Sequence, residues 1–206
     1  MEIKTLTLGD IETNCYLVST DDAALVIDPA FYSEEAVNFL KKSINKQRLI
    51  LITHAHFDHI SGALALREET GVNIAISEIE NPYLSDANIN LSGLFGEALP
   101  PFSADILLSN NEEMNIGSLN IKTIFSPGHT KGSVCYLING KLFSGDTLFL
   151  ESIGRTDFPT GDYKTLIGSI EMLFDTLEGT TEVFPGHGYK TDLNHEKLYN
   201  PFLRKM

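Results

Sequence analysis

Short stretches of alternating or continuous apolar residues recur along the chain, and this pattern predicts a protein rich in strands. The apolar run at 48–52 is typical of a buried central strand. Asn139-Gly140 is a strong two-residue turn, so the strands on either side of it are expected to form a hairpin. The other predicted strands cover residues 2–8, 13–18, 23–28, 72–76, 105–108, 114–116, 119–125, 134–138, 142–143 and 181–184.

Four helices are predicted between these strands, bounded by residues typical of helix ends. Ser33 and Asp162 are candidate N-caps, because their side-chain oxygens can accept hydrogen bonds from the free N–H groups of a first turn. The predicted helices cover residues 34–42, from 59 to a stop at Gly71, 162–177 with Gly179 as the stop, and 194–199.

Residues 77–104 show neither the helix nor the strand period. Prolines and glycines interrupt this stretch, with apolar residues such as Leu91, Phe95 and Phe102 between them. A loop of this length inside a compact domain is often functional. Two interpretations are open: a lid or wall of a substrate site, or a surface excursion held down by its own Leu and Phe side chains.

Two parts of the chain repeat one plan. Residues 15–18 (Cys-Tyr-Leu-Val) precede a strand that ends at Asp28, and residues 135–138 (Cys-Tyr-Leu-Ile) precede a strand that ends at Asp146. This repeat suggests two facing sheets, each backed by helices. The length of 206 residues suits one large domain or two small ones, and we expect a single domain over 1–206.

Composition narrows the function classes. Apolar content of 42% and charged content of 21% are typical of a soluble globular protein. The net charge of −13, without a basic patch, argues against nucleic acid as a partner. A membrane partner is not expected either, since no apolar run approaches the roughly 20 residues that a membrane span needs. No signal peptide pattern is apparent. Cys15 and Cys135 lack a C-x-x-C partner, so we expect buried thiols in a reducing cytoplasm.

The segment Thr53-His54-Ala55-His56-Phe57-Asp58-His59 follows the central predicted strand. Alternate side chains of an extended segment share a face, so His54 and His56 can point the same way, with Asp58 and His59 beside them. A lone histidine is usually an ordinary core or surface residue, and Asp58 alone could be a helix cap. Three of the six histidines within six positions are hard to explain that way, so we predict metal ligands.

Three later segments have the same form: a strand, a turn containing glycine, and a side chain able to bind metal. Glycine permits the tight turn that aims such a side chain into a shared cavity. Five histidines and two aspartates are too many for one four-coordinate metal and suit two metals about 3.5–4 Å apart. His195 lies in a polar segment and is expected at the surface. The candidate ligands are His54, His56, Asp58, His59, His129, Asp146 and His187.

The T-H-x-H-x-D-H signature at 53–59, with the three downstream candidates, resembles the metallo-β-lactamase superfamily over nearly the whole chain. The resemblance implies an α+β fold, a four-layer αββα sandwich of two mixed β-sheets flanked by helices. It also implies one metal on His54, His56 and His129, a second on Asp58, His59 and His187, and Asp146 as the bridge.

Within the superfamily, true zinc β-lactamases lack this bridging aspartate, which disfavours antibiotic hydrolysis. The stretches 145–149, 154–157, 185–188 and 200–202 look instead like the short, single-domain glyoxalase II-like hydrolases. Glyoxalase II proper has a C-terminal helical domain that helps to bind glutathione. Few residues follow His187 here, so we expect no such domain and carry over none of its glutathione-binding residues.

The resemblance therefore implies a hydrolase for a small-molecule thioester such as S-lactoylglutathione. Nitrogen and oxygen ligands suit two zinc ions, although iron or manganese could occupy the same set. The cations would lower the pKa of a water between them, and the hydroxide would attack the acyl carbon. Asp58 and Asp146 are the expected catalytic residues, the first steering the nucleophile and the second fixing the metal spacing. Candidates for orienting the ligands or contacting substrate are Thr53, Thr130, Ser133, Arg155 and Asp157.

Several alternatives stay open. Arg155 is either a clamp for a substrate carboxylate or the ion-pair partner of Asp157. A mononuclear-iron persulfide dioxygenase shares the fold and ligands, but that branch tends to have alanine where Gly186 stands here. A lactonase is a third enzymatic possibility, and a metal-binding protein without catalysis is a fourth reading of the same residues. Nuclease activity is disfavoured by the acidic charge.

Overall fold

Two six-stranded sheets face each other in the computed structural model, which describes residues 1–95 and 98–203. In the first sheet the strands lie in chain order. The β1–β2 and β2–β3 pairs are antiparallel, and the remaining neighbours are parallel, so the sheet is mixed. Its strands are β1 (Glu2–Leu8), β2 (Thr13–Ser19), β3 (Ala23–Ile27), β4 (Gln47–Leu51), β5 (Ile74–Ser77) and β6 (Ile106–Leu108).

The second sheet is formed by the later part of the chain. Its strands are β7 (Glu113–Ile116), β8 (Leu119–Phe125), β9 (Val134–Ile138), β10 (Lys141–Gly145), β13 (Glu182–Pro185) and β14 (Thr191–Asp192). Between β10 and β13 the chain forms a small separate hairpin of β11 (Leu148–Phe149) and β12 (Ser152–Ile153). The spatial order is β14-β13-β10-β9-β8-β7. Only the β10–β13 pair is parallel among these described strands, so this sheet is mixed as well.

Helices cover the outer face of each sheet. The α-helices are α1 (Glu34–Lys42), α2 (Phe57–Ile60), α3 (Ala63–Thr70), α4 (Ser92–Phe95), α5 (Tyr163–Thr176) and α6 (Leu193–Tyr199). Side chains of α1 and α3 join the core of the first sheet, and those of α5 join the core of the second. The αββα sandwich and the α+β class are thereby confirmed. Among the described residues no helix combines the length and apolar character needed to cross a membrane.

The alternation of side chains along each strand builds the layers. In β2, Cys15 and Leu17 lie in the cluster beneath α1 and α3, whereas Tyr16 and Val18 lie in the cluster between the sheets. Since successive side chains of a strand point to opposite faces, one strand serves two cores. A fully buried side chain of leucine size contributes roughly 1.5–3 kcal/mol relative to exposure, so these apolar layers dominate the stability of the sandwich.

Two predicted helix caps are confirmed. The Ser33 hydroxyl accepts a hydrogen bond from the Ala36 N–H at 3.3 Å, and Asp162 Oδ1 accepts one from the Thr165 N–H at 2.7 Å. The Asn139-Gly140 hairpin is also confirmed, with positive φ at both residues, as a tight two-residue turn requires.

The single helix predicted from His59 to Gly71 is wrong, because the chain breaks between α2 and α3. At the break, the Gly62 N–H donates to the carbonyl of Pro29 at 2.9 Å. A Cβ atom at Gly62 would lie 2.5 Å from the carbonyl oxygen of Phe31 and 2.6 Å from that of Pro29. This close approach of two backbones requires glycine and interrupts the helix.

Gly179 is not the direct stop of α5. The helix ends at Thr176, and Leu177 is already extended. The carbonyl of Gly179 instead accepts a hydrogen bond from the Asn194 N–H at 2.7 Å, and a Cβ at Gly179 would overlap the Asn194 side chain. This glycine therefore allows α6 to pack close to the end of α5.

The stretch 77–104 contains more regular structure than its composition indicates. A 3-10 helix covers Asn81–Ser85, and α4 follows it. Leu84, Leu91 and Phe102 are buried, so apolar side chains do anchor the stretch to the core. Gly96 and Glu97 lie outside the described residues.

Candidate metal centre

The seven predicted ligands come together at one end of the sandwich. The segment after β4 supplies four of them, and single residues after β8, β10 and β13 supply the others. Six of the seven side chains are nearly or fully buried, and His187 is the most open, with 27% of its side chain exposed. The structure therefore brings together every ligand candidate that the sequence analysis named, and it leaves His195 outside, paired with Glu151.

Three imidazoles form the first group. Nε2 of His129 lies 2.9 Å from Nδ1 of His56 and 3.2 Å from Nε2 of His54. Burial, followed by the neighbouring imidazoles, lowers the pKa of His54 well below its usual value and that of His56 to about 3. Burial also lowers the pKa of His129. Neutral imidazoles have the free nitrogen lone pairs that metal binding requires.

Asp58, His59 and His187 form the second group. Oδ2 of Asp58 lies 3.3 Å from Nε2 of His59 and 3.3 Å from Nε2 of His187. Burial opposes ionisation of Asp58, but the adjacent His59 and His187 outweigh it and hold the pKa of the carboxyl well below its usual value. The group thus offers an ionised carboxylate and two imidazoles at one point.

Asp146 lies between the two groups. Its Oδ1 atom is 3.3 Å from Nε2 of His59, and its Oδ2 atom is 3.5 Å from Nε2 of His129 and 3.6 Å from Nε2 of His187. Burial raises the pKa of this carboxyl, yet the surrounding imidazoles outweigh burial and bring it to about 2. A carboxylate within reach of ligands from both groups has the position expected of a bridge.

The buried polar atoms of this cluster indicate that it fits cations. Nε2 of His56, Nε2 of His59 and Oδ1 of Asp146 are buried, and no hydrogen-bond partner for them is found among the described residues. A buried polar group without a partner costs about 1–3 kcal/mol. The mixed nitrogen and oxygen donors suit zinc, iron or manganese. A divalent cation beside His59 and Asp146 would satisfy Nε2 of His59 and Oδ1 of Asp146, which lie 3.3 Å apart, whereas His56 faces the first ligand group with its other ring nitrogen, Nδ1.

Asp28 orients part of the centre, and the sequence analysis did not name it as a site residue. Its Oδ2 atom lies 2.9 Å from Nδ1 of His59 and accepts a hydrogen bond from the Thr53 hydroxyl at 2.8 Å. The same hydroxyl lies 3.1 Å from Nδ1 of His54. Thr53 therefore contacts a ligand side chain, in keeping with its predicted orienting role. The repeat that pairs Asp28 with Asp146 in the sequence could have identified this carboxylate.

Main-chain carbonyls hold two further imidazoles, and no sequence pattern would have found them. Nδ1 of His129 lies 2.7 Å from the carbonyl oxygen of Arg155, and Nδ1 of His187 lies 3.1 Å from that of Ile11. The Thr13 hydroxyl donates to Oδ2 of Asp58 at 3.0 Å. Such contacts fix the ring orientation of a ligand histidine and its tautomer.

Thr130 and Ser133 lie near the centre but act on another residue. Their hydroxyl oxygens are 2.5 Å apart, and the Thr130 hydroxyl donates to Oε1 of Glu80 at 2.8 Å. Within the described residues neither hydroxyl is hydrogen-bonded to a ligand side chain. Their predicted role is therefore corrected: Thr130 binds the buried carboxylate of Glu80, a residue that the sequence pattern did not reveal, and Ser133 accepts a hydrogen bond from the Thr130 N–H at 3.1 Å.

Arg155 and Asp157 form an ion pair at the mouth of the site. Nε and one terminal nitrogen of Arg155 each donate to a different Asp157 oxygen at 2.7 Å. This pairing lowers the pKa of Asp157 to about 2. The guanidinium carbon also lies 3.7 Å from the ring centroid of Phe158. Of the two open roles for Arg155, the geometry favours the ion pair.

A cavity of about 420 Å³ opens beside the ligands. Leu91 and Phe95 form part of its wall, so the stretch 77–104 contributes to the site, as one of its two interpretations expected. The other lining residues are the ligands His56, Asp58, His129, Asp146 and His187, together with Ile11, Phe57, Phe149, Ile153, Arg155 and Phe158.

Comparison with known proteins identifies the family. The family model of the metallo-beta-lactamase superfamily matches residues 8–187, which include all seven candidate ligands. The chain belongs to the metallo-beta-lactamase superfamily. Membership in this superfamily supports a metal-dependent hydrolase.

Two relatives within the metallo-beta-lactamase superfamily match over almost their full length. The chain is 37% identical to the probable metallo-hydrolase YqgX of Bacillus subtilis, over 98% of each chain. It is 32% identical to the hydroxyacylglutathione hydrolase GloC of Haemophilus influenzae, again over 98% of each chain.

Two solved structures match this chain closely in fold and over almost its full length. The BLEG-1 B3 metallo-beta-lactamase matches with a TM-score of 0.90 and 38% identity, over 98% of this chain and 99% of that one. TTHA1623, solved in a di-iron-bound form, matches with a TM-score of 0.83 and 32% identity, over 97% of this chain and all of that one (100%).

Proposed function

We propose that this chain is a dinuclear metal-dependent hydrolase of small-molecule thioesters, of which S-lactoylglutathione is an example. The observation that carries the proposal is the position of Asp146, whose two oxygens lie 3.3–3.6 Å from imidazole nitrogens of both ligand groups. We assign one cation to His54, His56 and His129, the other to Asp58, His59 and His187, and both to Asp146.

The residues of the chain can perform the other tasks of thioester hydrolysis. Bound divalent cations supply Lewis-acid activation of water and of an acyl carbonyl. Asp58 stays ionised beside His59 and His187 and is held by the Thr13 hydroxyl, so its carboxylate can orient an attacking water. A thiolate leaves readily, so the site needs no strong general acid.

The comparisons and the charge support this substrate class. The relative GloC is described as a hydroxyacylglutathione hydrolase. The chain's net charge of −13 supports a small-molecule substrate rather than nucleic acid.

The surroundings of Gly186 favour a hydrolase over a persulfide dioxygenase. A Cβ atom at this position would overlap Oδ1 of Asp146 and lie 2.8 Å from Cε1 of His59. The alanine common in the dioxygenase branch would therefore displace the bridging carboxylate here. Glycine lets Asp146 keep its contacts to both ligand groups.

The test is metal content and activity on protein purified without added metal. We expect about two divalent cations per chain and a fall in thioester absorbance when S-lactoylglutathione is added. Zinc is the expected metal, with iron as the alternative because TTHA1623 was solved in a di-iron-bound form. His54→Ala should abolish turnover, whereas His195→Ala, outside the cluster, should not. A single iron per chain, with oxygen consumption on glutathione persulfide, would contradict the proposal.

β-Lactam hydrolysis is a second candidate, favoured by the similarity to BLEG-1, which is described as a B3 metallo-beta-lactamase. Asp146 argues against it as the main activity, because true zinc β-lactamases lack this aspartate. We expect kcat/KM for the chromogenic cephalosporin nitrocefin to be at least about 100-fold below that for the best thioester, a difference of about 2.7 kcal/mol. The reverse order would make the β-lactam the better substrate class.

A further inference from the structure

The cavity beside the ligands has an aromatic wall made by Phe57, Phe95 and Phe158. The rings of Phe57 and Phe95 stack with their centroids 5.3 Å apart, and Phe158 meets Phe95 edge-on at 6.2 Å. Phe158 also meets the ring of the ligand His56 at 5.9 Å. The aromatic surface therefore begins at the first ligand group and extends outward from it.

Apolar residues complete the wall on the other sides. Phe149 meets the ring of His187 at 6.0 Å and belongs to the β11–β12 hairpin, as does the buried Ile153. Leu91 and Ile11 line the cavity from two other segments. Both ligand groups are thus flanked by hydrocarbon rather than by hydrogen-bonding groups.

Outside the metal centre, the cavity wall offers little to a charged substrate group. Arg155 is the one lysine or arginine among the described lining residues, and Asp157 already occupies it with two hydrogen bonds. A glutathione moiety carries two carboxylates and one ammonium group, and burying such groups without partners is strongly unfavourable. Apart from the metal centre, the wall of this cavity therefore favours an uncharged substrate group.

The acyl half is the half that can provide such a group in a glutathione thioester. Beyond one methylene next to the sulfur, the thiol half consists of amides and charged ends. A lactoyl group is small and carries a hydroxyl, so it would leave most of the aromatic wall uncovered. An aromatic or branched hydrocarbon acyl group would cover it.

Resting on the proposed thioesterase function, we propose that the preferred substrates are thioesters of apolar acyl groups, aromatic or branched, which pack against Phe57, Phe95 and Phe158. Arg155 serves this site as the charged edge of the wall, stacked on Phe158, and not as a receptor for a substrate carboxylate.

The test compares four glutathione thioesters on metal-loaded protein: phenylacetyl, isovaleryl, lactoyl and succinyl. One thiol keeps the leaving group constant, and dividing by the rate of uncatalysed hydroxide hydrolysis removes differences in acyl reactivity. We expect kcat/KM for the phenylacetyl thioester to exceed that for the lactoyl thioester by about 10-fold or more, since one methylene in a fitted apolar pocket is worth roughly that factor. The succinyl thioester, with an anionic acyl group, should be the poorest.

Variants connect this preference to the wall. Phe95→Ala, at a side chain that is 56% exposed, should lower kcat/KM for the phenylacetyl thioester about 10-fold more than kcat/KM for the lactoyl thioester, with metal content nearly unchanged. Leu94→Ala is the matched control, because Leu94 lies next in sequence, is 70% exposed and does not line the cavity. Asp157→Asn, which frees Arg155, should not make the succinyl thioester the preferred one.

The outcomes separate this inference from the proposed function. Preference for the lactoyl or succinyl thioester, or an unchanged preference in Phe95→Ala, would overturn the inference and leave a thioesterase. Failure of the two-metal protein to hydrolyse any of the four thioesters would overturn both.

Discussion

Oε2 of Glu80 accepts a hydrogen bond from the Ala55 N–H at 2.8 Å, at the residue between the first two ligand histidines. The other carboxylate oxygen accepts hydrogen bonds from the Gly132 N–H at 2.9 Å and the Thr130 hydroxyl at 2.8 Å, in the loop that follows His129. One fully buried carboxylate therefore ties together the two loops that carry the first ligand group. Glu80 positions the ligands without contacting a metal-binding atom.

Glu80→Ala should destabilise the fold and lower its metal content together. The change leaves three buried donors without their acceptor, at about 1–3 kcal/mol each. Glu80→Gln keeps one acceptor oxygen, so its stability and metal content should lie between those of Glu80→Ala and those of the parent protein. Thermal unfolding with and without added zinc, together with metal analysis, measures both effects. Glu78→Ala, at an exposed position two residues earlier, is the control. Full metal content and parental stability in Glu80→Ala would show that the two ligand-carrying loops keep their positions without the Glu80 hydrogen bonds.

Gly186→Ala should reduce the binding of the second metal and leave the fold largely unchanged. The new methyl group would displace Asp146, so we expect about one cation per chain and a loss of at least 100-fold in thioester kcat/KM, since small misplacements in a catalytic site have effects of this size. Gly168→Ala is the matched control, because a Cβ there meets no atom within 4 Å and lies on an exposed face of α5. It should be neutral or slightly stabilising. Two tightly bound metals in Gly186→Ala would be incompatible with the crowding described.

Local sequence features were sufficient to predict the candidate ligands and most of the strands. His54 and His56 share a face because they are two residues apart in an extended segment, and Asn139-Gly140 encodes its own turn. These features depend on neighbouring residues only. The same holds for the caps at Ser33 and Asp162.

Contacts between distant segments could not be predicted in the same way. Glu80 lies 25 residues from Ala55 and 52 from Gly132 along the chain, and no local pattern marks it as a buried acceptor. The break at Gly62 arises because the backbone of Phe31 passes against it, a tertiary contact that overrides helix propensity. Ile11 contacts the ring of His187 through its backbone carbonyl, so the type of its side chain gives no sign of this contact in the sequence.

Alkaline pH should destabilise the fold through its buried thiols. Burial raises the pKa of Cys135 to about 11 from an ordinary value of 9.0, and it raises that of Cys15 as well. The folded state keeps these protons while the unfolded chain loses them above about pH 9, so the stabilisation is complete below pH 9 and falls as pH rises towards 11. For Cys135 the loss is roughly 2–3 kcal/mol by pH 11.

Urea unfolding between pH 7 and 10.5, at constant metal content, measures this loss. Cys135→Ala removes one titrating thiol and should flatten the decline above pH 9, whatever its effect on stability at pH 7. Identical slopes for the variant and the parent would exclude Cys135 as a cause. A matching experiment with iodoacetamide should leave both thiols of the native protein unlabelled at pH 8, because the thiolate is the reactive form.

Glu196 should control substrate binding from α6, far along the chain from the metal ligands. Its buried carboxylate accepts hydrogen bonds from the Glu151 N–H at 2.9 Å and from the Asn200 amide at 2.8 Å. Asn200 in turn donates to the carbonyl of Ser152 at 3.0 Å. These bonds fasten the tip of the β11–β12 hairpin, which supplies Phe149 to the cavity wall.

Glu196→Ala should therefore raise KM for an apolar-acyl thioester by roughly tenfold, equivalent to about 1.4 kcal/mol of lost contact, while both metals stay bound. The metals stay because the ligand histidines are oriented by Asp28, Ile11 and other groups outside this hairpin tip. Leu198→Ala, on the same helix and 65% exposed, controls for general loosening of α6. Metal loss at unchanged KM would mean that the hairpin supports the ligands rather than the cavity wall. Arg155, whose carbonyl lies 2.7 Å from Nδ1 of His129, is two residues beyond the end of the hairpin.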